Sequence, residues 1–429
     1  MILRYLLCIL LPLPGMAQWN KADIEKRFNT YINFKGSLNN SVSITDEGVS
    51  ILSAGKPEFT VYANEYSLLQ SILTTYNYDE QVKFYNWKKT QHLNRKQLDS
   101  LGFIVNAGLK PGVSNTNPNL PLAGIRIAID PGHIAGNRDM AHIEQKFLDF
   151  GPNAANTLKD SIHIAEGILT YNTAAILKNK LTAKGAQVFV TRPQQNFSAF
   201  QVTYDTWYKQ RRKKTLDSLV KAGSMTEARH KQLMKLDQRK FFWEFFRDYE
   251  LIERSRIINA YKPDLTIVIH YNVDEKNTDW LNPSNKNYTM TFIGGGMTND
   301  NLSKPANKMH LLRLLLTDQL QRSEKISSIT VQQFSKQLNI PLAKQTDADY
   351  LRDNCLKTPS AGVFCRNLAL CRLINSPLVY GECLYQDDVD ECQKLTISDY
   401  DVEGLKVPKR VYEVANCYYD AIIEYFRSK

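Results

Sequence analysis

Apolar positions along this chain fall into short β-branched runs separated by stretches of helical period. Ile125-Arg126-Ile127-Ala128-Ile129, Gln187 to Thr191, Leu265 to Ile269 and Leu378 to Gly381 each read as a strand, and a further strand is expected near Leu368–Ile374. Helical spacing runs from about His163 to Lys184, with Gly185 as its C-cap, then over roughly Tyr249 to Tyr261, 306–322 and Arg410 to Phe426. Strands alternating with helices predict an α/β fold: a mostly parallel sheet with helices on both faces.

Two segments break that alternation. Residues 18–120 have mixed character, with a helix over Lys21–Tyr31, short strands between Ser41 and Tyr62 around the Gly48 and Gly55 turns, and a helix over Glu65–Thr75. A Pro-, Gly-, Ser- and Asn-rich stretch from Lys110 to Pro121 marks a linker, so a small N-terminal α+β domain over 18–120 is expected before a main domain over 121–429. Within the main domain, about 203–247 reads as a helical insertion of two helices, the second opened by a capping box at Ser224 and Glu227. The insertion carries the basic run Lys209 to Lys214 and the aromatics Phe241, Phe242, Trp243, Phe245 and Phe246. An apolar cluster needs burial, so it either packs on the core or forms an arm that docks a protein regulator.

Composition adds compartment rather than chemistry. Arg4, the apolar run Leu6–Leu13 and Gly15-Met16-Ala17 form a signal peptide over 1–17, and no later segment has transmembrane length, so an exported protein of the periplasm or cell envelope is expected. The formal charge of +10 suits an anionic partner such as nucleic acid, a membrane surface or an acidic wall polymer, and equally a solvated basic surface. Export and the lack of any binding motif argue against nucleic acid. Beyond Cys8, six cysteines (Cys355, Cys365, Cys371, Cys383, Cys392 and Cys417) cluster late in the chain, where disulfides are expected over free buried thiols.

The chemistry sits where strands end. Asp130-Pro131-Gly132-His133 closes one apolar run, His270 a second and Glu382 a third. Ligands bind beyond the carboxyl ends of strands in open α/β sheets, so distant side chains can meet there. Catalytic zinc takes three ligands of the His/Glu class and leaves a position for water. His133 and His270 supply imidazoles; Glu166 fits as the carboxylate, with Glu144 and His163 as rivals. Asp130 either orients a ligand or caps the following loop, and Asn272 either contacts substrate or holds its turn.

Four segments together resemble the zinc-dependent N-acetylmuramoyl-L-alanine amidases of bacterial cell walls. They are Ile127 to His133; Glu166 through Asn172, Leu177 and Gly185 to Arg192; Glu250 through Arg254 and Asn259 to Asn272; and Leu378 to Glu382 with Glu391 downstream. The resemblance spans about 121–429 and implies one Zn2+ held by His133, Glu166 and His270, Glu382 as catalytic acid/base, and peptidoglycan as substrate. The chain departs from the family pattern in a long loop without the usual glycines between His133 and Glu166, in Gly167 where a lysine is common, and in the bulk of Tyr271. A zinc peptidase acting on stem peptides and a catalytically inactive cell-wall-binding protein are the alternatives.

Overall fold

The computed structural model describes residues 19–75, 78–93, 120–152, 158–277 and 282–427. The expected signal peptide, and nearly all of the expected linker, lie outside the described residues.

A seven-stranded sheet forms the centre, in the order β10-β11-β9-β12-β8-β4-β7. Its strands are β4 (Arg126–Pro131), β7 (Gln187–Val190), β8 (Leu265–Asn272), β9 (Met290–Ile293), β10 (Cys355–Lys357), β11 (Val363–Arg366) and β12 (Leu378–Tyr385). The β12-β8-β4-β7 half is parallel; β9 runs antiparallel to β12, parallel to β11, and β10 closes the edge antiparallel. This is the expected mostly parallel α/β sheet, with β4, β8 and most of β12 buried and the edge strand β7 only partly so. Helices Glu166–Thr182, Gln319–Leu338 and Lys409–Arg427 bury one face. Helices Arg247–Tyr261 and Ala369–Leu373 pack towards the other.

Several boundaries differ from expectation. Residues 162–165 form strand β6, which pairs with β5 (Phe147–Phe150), and the helix starts only at Glu166. Ile162 and Ile164 are buried while His163 points out, so the period there is two. The expected strand at 368–374 is the short helix Ala369–Leu373, and strand β11 precedes it. A short apolar run does not distinguish the two by periodicity. The 306–322 helix is two helices, Pro305–Leu316 and Gln319–Leu338, broken where Thr317 turns extended. A small hairpin, β13 (Tyr400–Val402) and β14 (Leu405–Val407), precedes the last helix.

The insertion is four helices, Tyr204–Gln210, Arg212–Lys221, Glu227–Met234 and Gln238–Phe241, ending in a π turn at Phe242–Phe246. Thr226, and not Ser224, caps the third: its hydroxyl accepts from the Arg229 N–H at 3.2 Å. Tyr204, Trp207, Phe241, Phe242 and Phe246 are buried against Ile134, Ala135, Met140 and Ala141. The aromatics therefore face inward onto the segment after His133.

At the N-terminus, helix Lys21–Arg27 precedes an antiparallel sheet of β1 (Val42–Ile44), β2 (Gly48–Ser53) and β3 (Lys56–Tyr62) and the helix Tyr66–Thr75. Phe28, Ile32, Val49, Phe59 and Leu69 share one apolar cluster with Met309, Leu312 and Leu315 of the Pro305–Leu316 helix. The six cysteines beyond Cys8 are free, buried thiols, in place of the expected disulfides. Each is packed as a small apolar side chain inside a cluster.

Candidate metal centre and active site

Neighbouring strands β4, β8 and β12 bring the candidate residues to one end of the sheet. Pro131 pairs with Ile269, and Glu382 lies directly opposite His270, so the last two side chains project from the same face. His133 follows β4 with a left-handed backbone, φ 59°, which is uncommon for a residue with a side chain and turns its ring back towards β8. Gly132 makes room for this turn, since a Cβ there would lie 2.3 Å from His270 Cε1.

Glu166 opens its helix and is buried between both imidazoles. Its Oε2 lies 3.2 Å from His133 Nε2, and its Oε1 lies 3.1 Å from His270 Nδ1. The N–H of Tyr271 donates to Oε1 at 3.1 Å, Gln386 Nε2 donates to Oε2 at 3.3 Å, and Lys146 Nζ stands 3.8 Å away. Burial alone would raise this carboxyl, but the charges of His133 and Lys146 and the imidazole hydrogen bonds hold it well below the usual range. Burial keeps His270 neutral, pulling it down to about 4. His133, Glu166 and His270 can thus each offer one donor atom, all within 4.8 Å of one another.

Glu144, a rival for the third ligand, sits behind His133 instead. Its Oε1 is 3.0 Å from His133 Nδ1, and its Oε2 accepts from the N–H groups of Ile134 and Ala135 at 2.9 and 3.0 Å. Burial opposes its ionisation, yet His133 and those N–H groups bring it down to about 2. A carboxylate on the far nitrogen fixes the ring and leaves Nε2 facing Glu166. His163, the other rival, is exposed and bound to Asp149 at 2.8 Å, away from the cluster.

Asp130 serves the loop. It accepts from Thr191 and pairs with Arg254 Nη1 at 3.3 Å, while Arg254 also donates to the carbonyls of Pro131 (2.9 Å) and His133 (3.1 Å). Arg192 donates to the same carbonyl of Pro131 and to that of Gly132. Glu144, Arg192, Arg254, Lys146 and Gln386 were not legible as positioning groups, because each acts through a fold contact with no spacing motif.

The departures from the family pattern have local causes. A Cβ on Gly167 would lie 2.3 Å from the Ala135 carbonyl, so no side chain fits. Tyr271 points to the opposite face, where its hydroxyl meets Thr173 Oγ1 at 2.7 Å. Asn272 is half-buried: its Nδ2 donates to the Tyr350 hydroxyl at 2.9 Å and its Oδ1 accepts from the Val273 N–H. Glu382 is half-buried and makes no hydrogen bond or ion pair with a described residue. Burial, then the charge of Glu166, pushes it up to about 8. Two imidazoles, one buried carboxylate and a carboxylate-fixed ring form a donor set that suits a zinc ion.

No curated protein matches the chain in sequence. Among solved structures it is similar to the CwlD amidase of Clostridioides difficile in complex with the GerS lipoprotein, at 16% identity and TM-score 0.37 over 71% of this chain and 100% of that one. It is similar to the N-acetylmuramyl-L-alanine amidase Ami1 of Mycobacterium abscessus, at 14% identity and TM-score 0.37 over 71% and 99%. The catalytic domain of CwlV from Bacillus (Paenibacillus) polymyxa shows 13% identity and a TM-score of 0.33 over 71% and 99%. The N-acetylmuramoyl-L-alanine amidase family matches residues 127–406, which include His133, Glu166, His270 and Glu382. On that match, covering well over half its length, the chain belongs to the N-acetylmuramoyl-L-alanine amidase family.

Proposed function

We propose that this protein is an exported zinc amidase that hydrolyses the amide between N-acetylmuramic acid and L-alanine in peptidoglycan. The observation that carries the proposal is the convergence of His133, Glu166 and His270 within 4.8 Å, next to Glu382, which has no hydrogen-bond or ion-pair partner among the described residues, inside the family match. In this reading His133, Glu166 and His270 hold one Zn2+. Zinc there would supply Lewis acidity, lowering the pKa of a water towards neutral and polarising the amide carbonyl.

The chain's own residues do the rest. Glu144 keeps the His133 ring oriented, and Gln386 with the Tyr271 N–H steadies Glu166. Glu382 takes a proton from the attacking water and returns it to the nitrogen of L-alanine as the C–N bond breaks. Its position suits this task, because burial and the nearby Glu166 charge make it a stronger base than a free carboxylate. Asn272 contributes to substrate binding through the Tyr350 hydroxyl that it holds.

Residues 121–429 form the catalytic unit of this proposal, and the described residues before it, 19–75 and 78–93, dock on it through the shared apolar cluster. A protein regulator at the insertion would use the exposed Lys209, Arg211, Lys213 and Lys214, since the aromatics face inward. Muropeptide analysis of digested sacculi tests the reaction: free intact stem peptides and unsubstituted N-acetylmuramic acid are expected. Shortened stems still attached to sugar would point to the peptidase instead. Glu382→Gln should lower turnover by about 10²–10⁴-fold with zinc content unchanged, and full wall-related function in that variant would favour the inactive binding protein.

A further inference from the structure

A row of rings leaves the metal cluster across one sheet face. His270 stacks on Tyr380 at 4.6 Å, Tyr380 meets Phe292 at 6.1 Å, and Phe292 meets Tyr350 at 6.4 Å. Arg366, the last residue of β11, ends the row. Its guanidinium carbon lies 5.2 Å from the Phe292 ring and 4.7 Å from the Tyr350 ring. Tyr350 in turn takes a hydrogen bond from Asn272 at the end of β8, so the same tyrosine touches both the candidate site and the arginine.

Two stacked rings fix the plane of this guanidinium, which lowers the entropy lost when it binds a planar anion. Arg366 is half-buried, and among the described residues its side chain makes no hydrogen bond and no ion pair. Arg254, Arg192, Arg313 and Arg410, all buried, donate to carbonyls or carboxylates, whereas half-buried Arg126, which also lies over a ring (Tyr261, 4.4 Å), stands at the start of β4, away from the site. A rigid, partly desolvated fork of donors without an acceptor lacks its partner.

Resting on the amidase reading, we propose that Arg366, held by Phe292 and Tyr350, is a specificity-determining residue that binds a carboxylate on the peptide part of the substrate. The sugar side carries no charge once its lactyl group is in amide linkage, so the anion belongs to the peptide. Two strand spacings separate β12 from β11, roughly 10 Å, which about three extended residues span. The carboxylate therefore lies two or three residues beyond the scissile amide. The charge of Arg366 also reaches Glu382 and opposes the rise of its carboxyl, consistent with a shared groove.

The test uses full-length zinc-loaded enzyme and a synthetic N-acetylmuramoyl tripeptide with free carboxylates, beside the same tripeptide with every carboxylate as carboxamide. Wild type should prefer the free acid. Arg366→Gln should raise KM for the acid by about ten- to a hundredfold and leave the carboxamide unchanged, as expected for one charge-assisted pair. Arg366→Lys should restore part of the acid preference. Equal loss on both substrates, or no change at all, would overturn the proposal. Wild type that cleaves neither substrate would instead overturn the amidase reading beneath it.

Discussion

At the scale of single residues, the site depends on the orientation of two imidazoles. His133 is held in a left-handed backbone by Arg254 and Arg192 on its loop carbonyls and by Glu144 on its ring. Glu144→Gln should therefore weaken zinc affinity by about 10–100-fold while leaving the ligands in place. Competition with a fluorescent chelator measures this, and unchanged affinity would remove Glu144 from the site. Gly132→Ala should displace His270, because the added methyl would sit 2.3 Å from its ring, and zinc should be lost with little unfolding.

The legible part of the site follows the same logic. His133, His270 and Glu382 stand at the ends of apolar runs, where a reader of strands looks for chemistry. Glu166 emerged through family resemblance, because three carboxylate or imidazole candidates shared the loop after β4. Glu144 reaches His133 only because helix Arg138–Glu144 folds back, and nothing in residues 134–165 has a period that would show it.

At the scale of elements, the insertion acts as a buttress for that loop. Trp243 Nε1 donates to the Ile143 carbonyl at 3.0 Å, and Phe242 and Phe246 are buried in the cluster with Met140 and Ala141. The helix carrying Glu144 is thus clamped by the insertion. Phe246→Ala should cost about 3–5 kcal/mol of stability as a buried aromatic truncation. Zinc retention at partial denaturation should fall with it. Urea unfolding followed by zinc release checks both; a stability loss with normal zinc affinity in the folded state would separate the insertion from the site. The existence of this element was legible from its aromatics and basic run, but its four short helices were not. Arg211 and Lys235 end two of them through backbone geometry rather than through Gly or Pro, while the helix before Ala222 ends at the left-handed Gly223. The Gln319–Leu338 helix was obscured in the same way, its apolar stripe diluted by polar residues such as Gln319, Ser323 and Ser327 that are nonetheless buried.

At the scale of the whole molecule, residues 19–93 and the Pro305–Leu316 helix share one interior. His310 on that helix is buried, and its Nδ1 accepts from Arg313 Nη1 at 3.1 Å. Burial, then the charges of Arg313 and Arg372, holds it well below its ordinary 6.5. The folded protein thus keeps His310 neutral where the unfolded chain would protonate it. Its contribution is present above about pH 6.5 and is lost as pH falls, at up to about 1.4 kcal/mol per pH unit. Denaturation between pH 7.5 and 5.5 should show that loss, and His310→Gln should flatten it; parallel curves would contradict the assignment. This packing was invisible in the sequence, because contacts between residues nearly three hundred positions apart leave no local pattern.

The most direct measurement of the central claim is zinc content alongside sacculus digestion, before and after chelation, for wild type and for His133→Ala, Glu166→Ala and His270→Ala. One zinc per chain in wild type is expected, absent in each variant, with digestion lost on chelation and regained on adding zinc. Undiminished digestion by thoroughly chelated wild type would contradict the account.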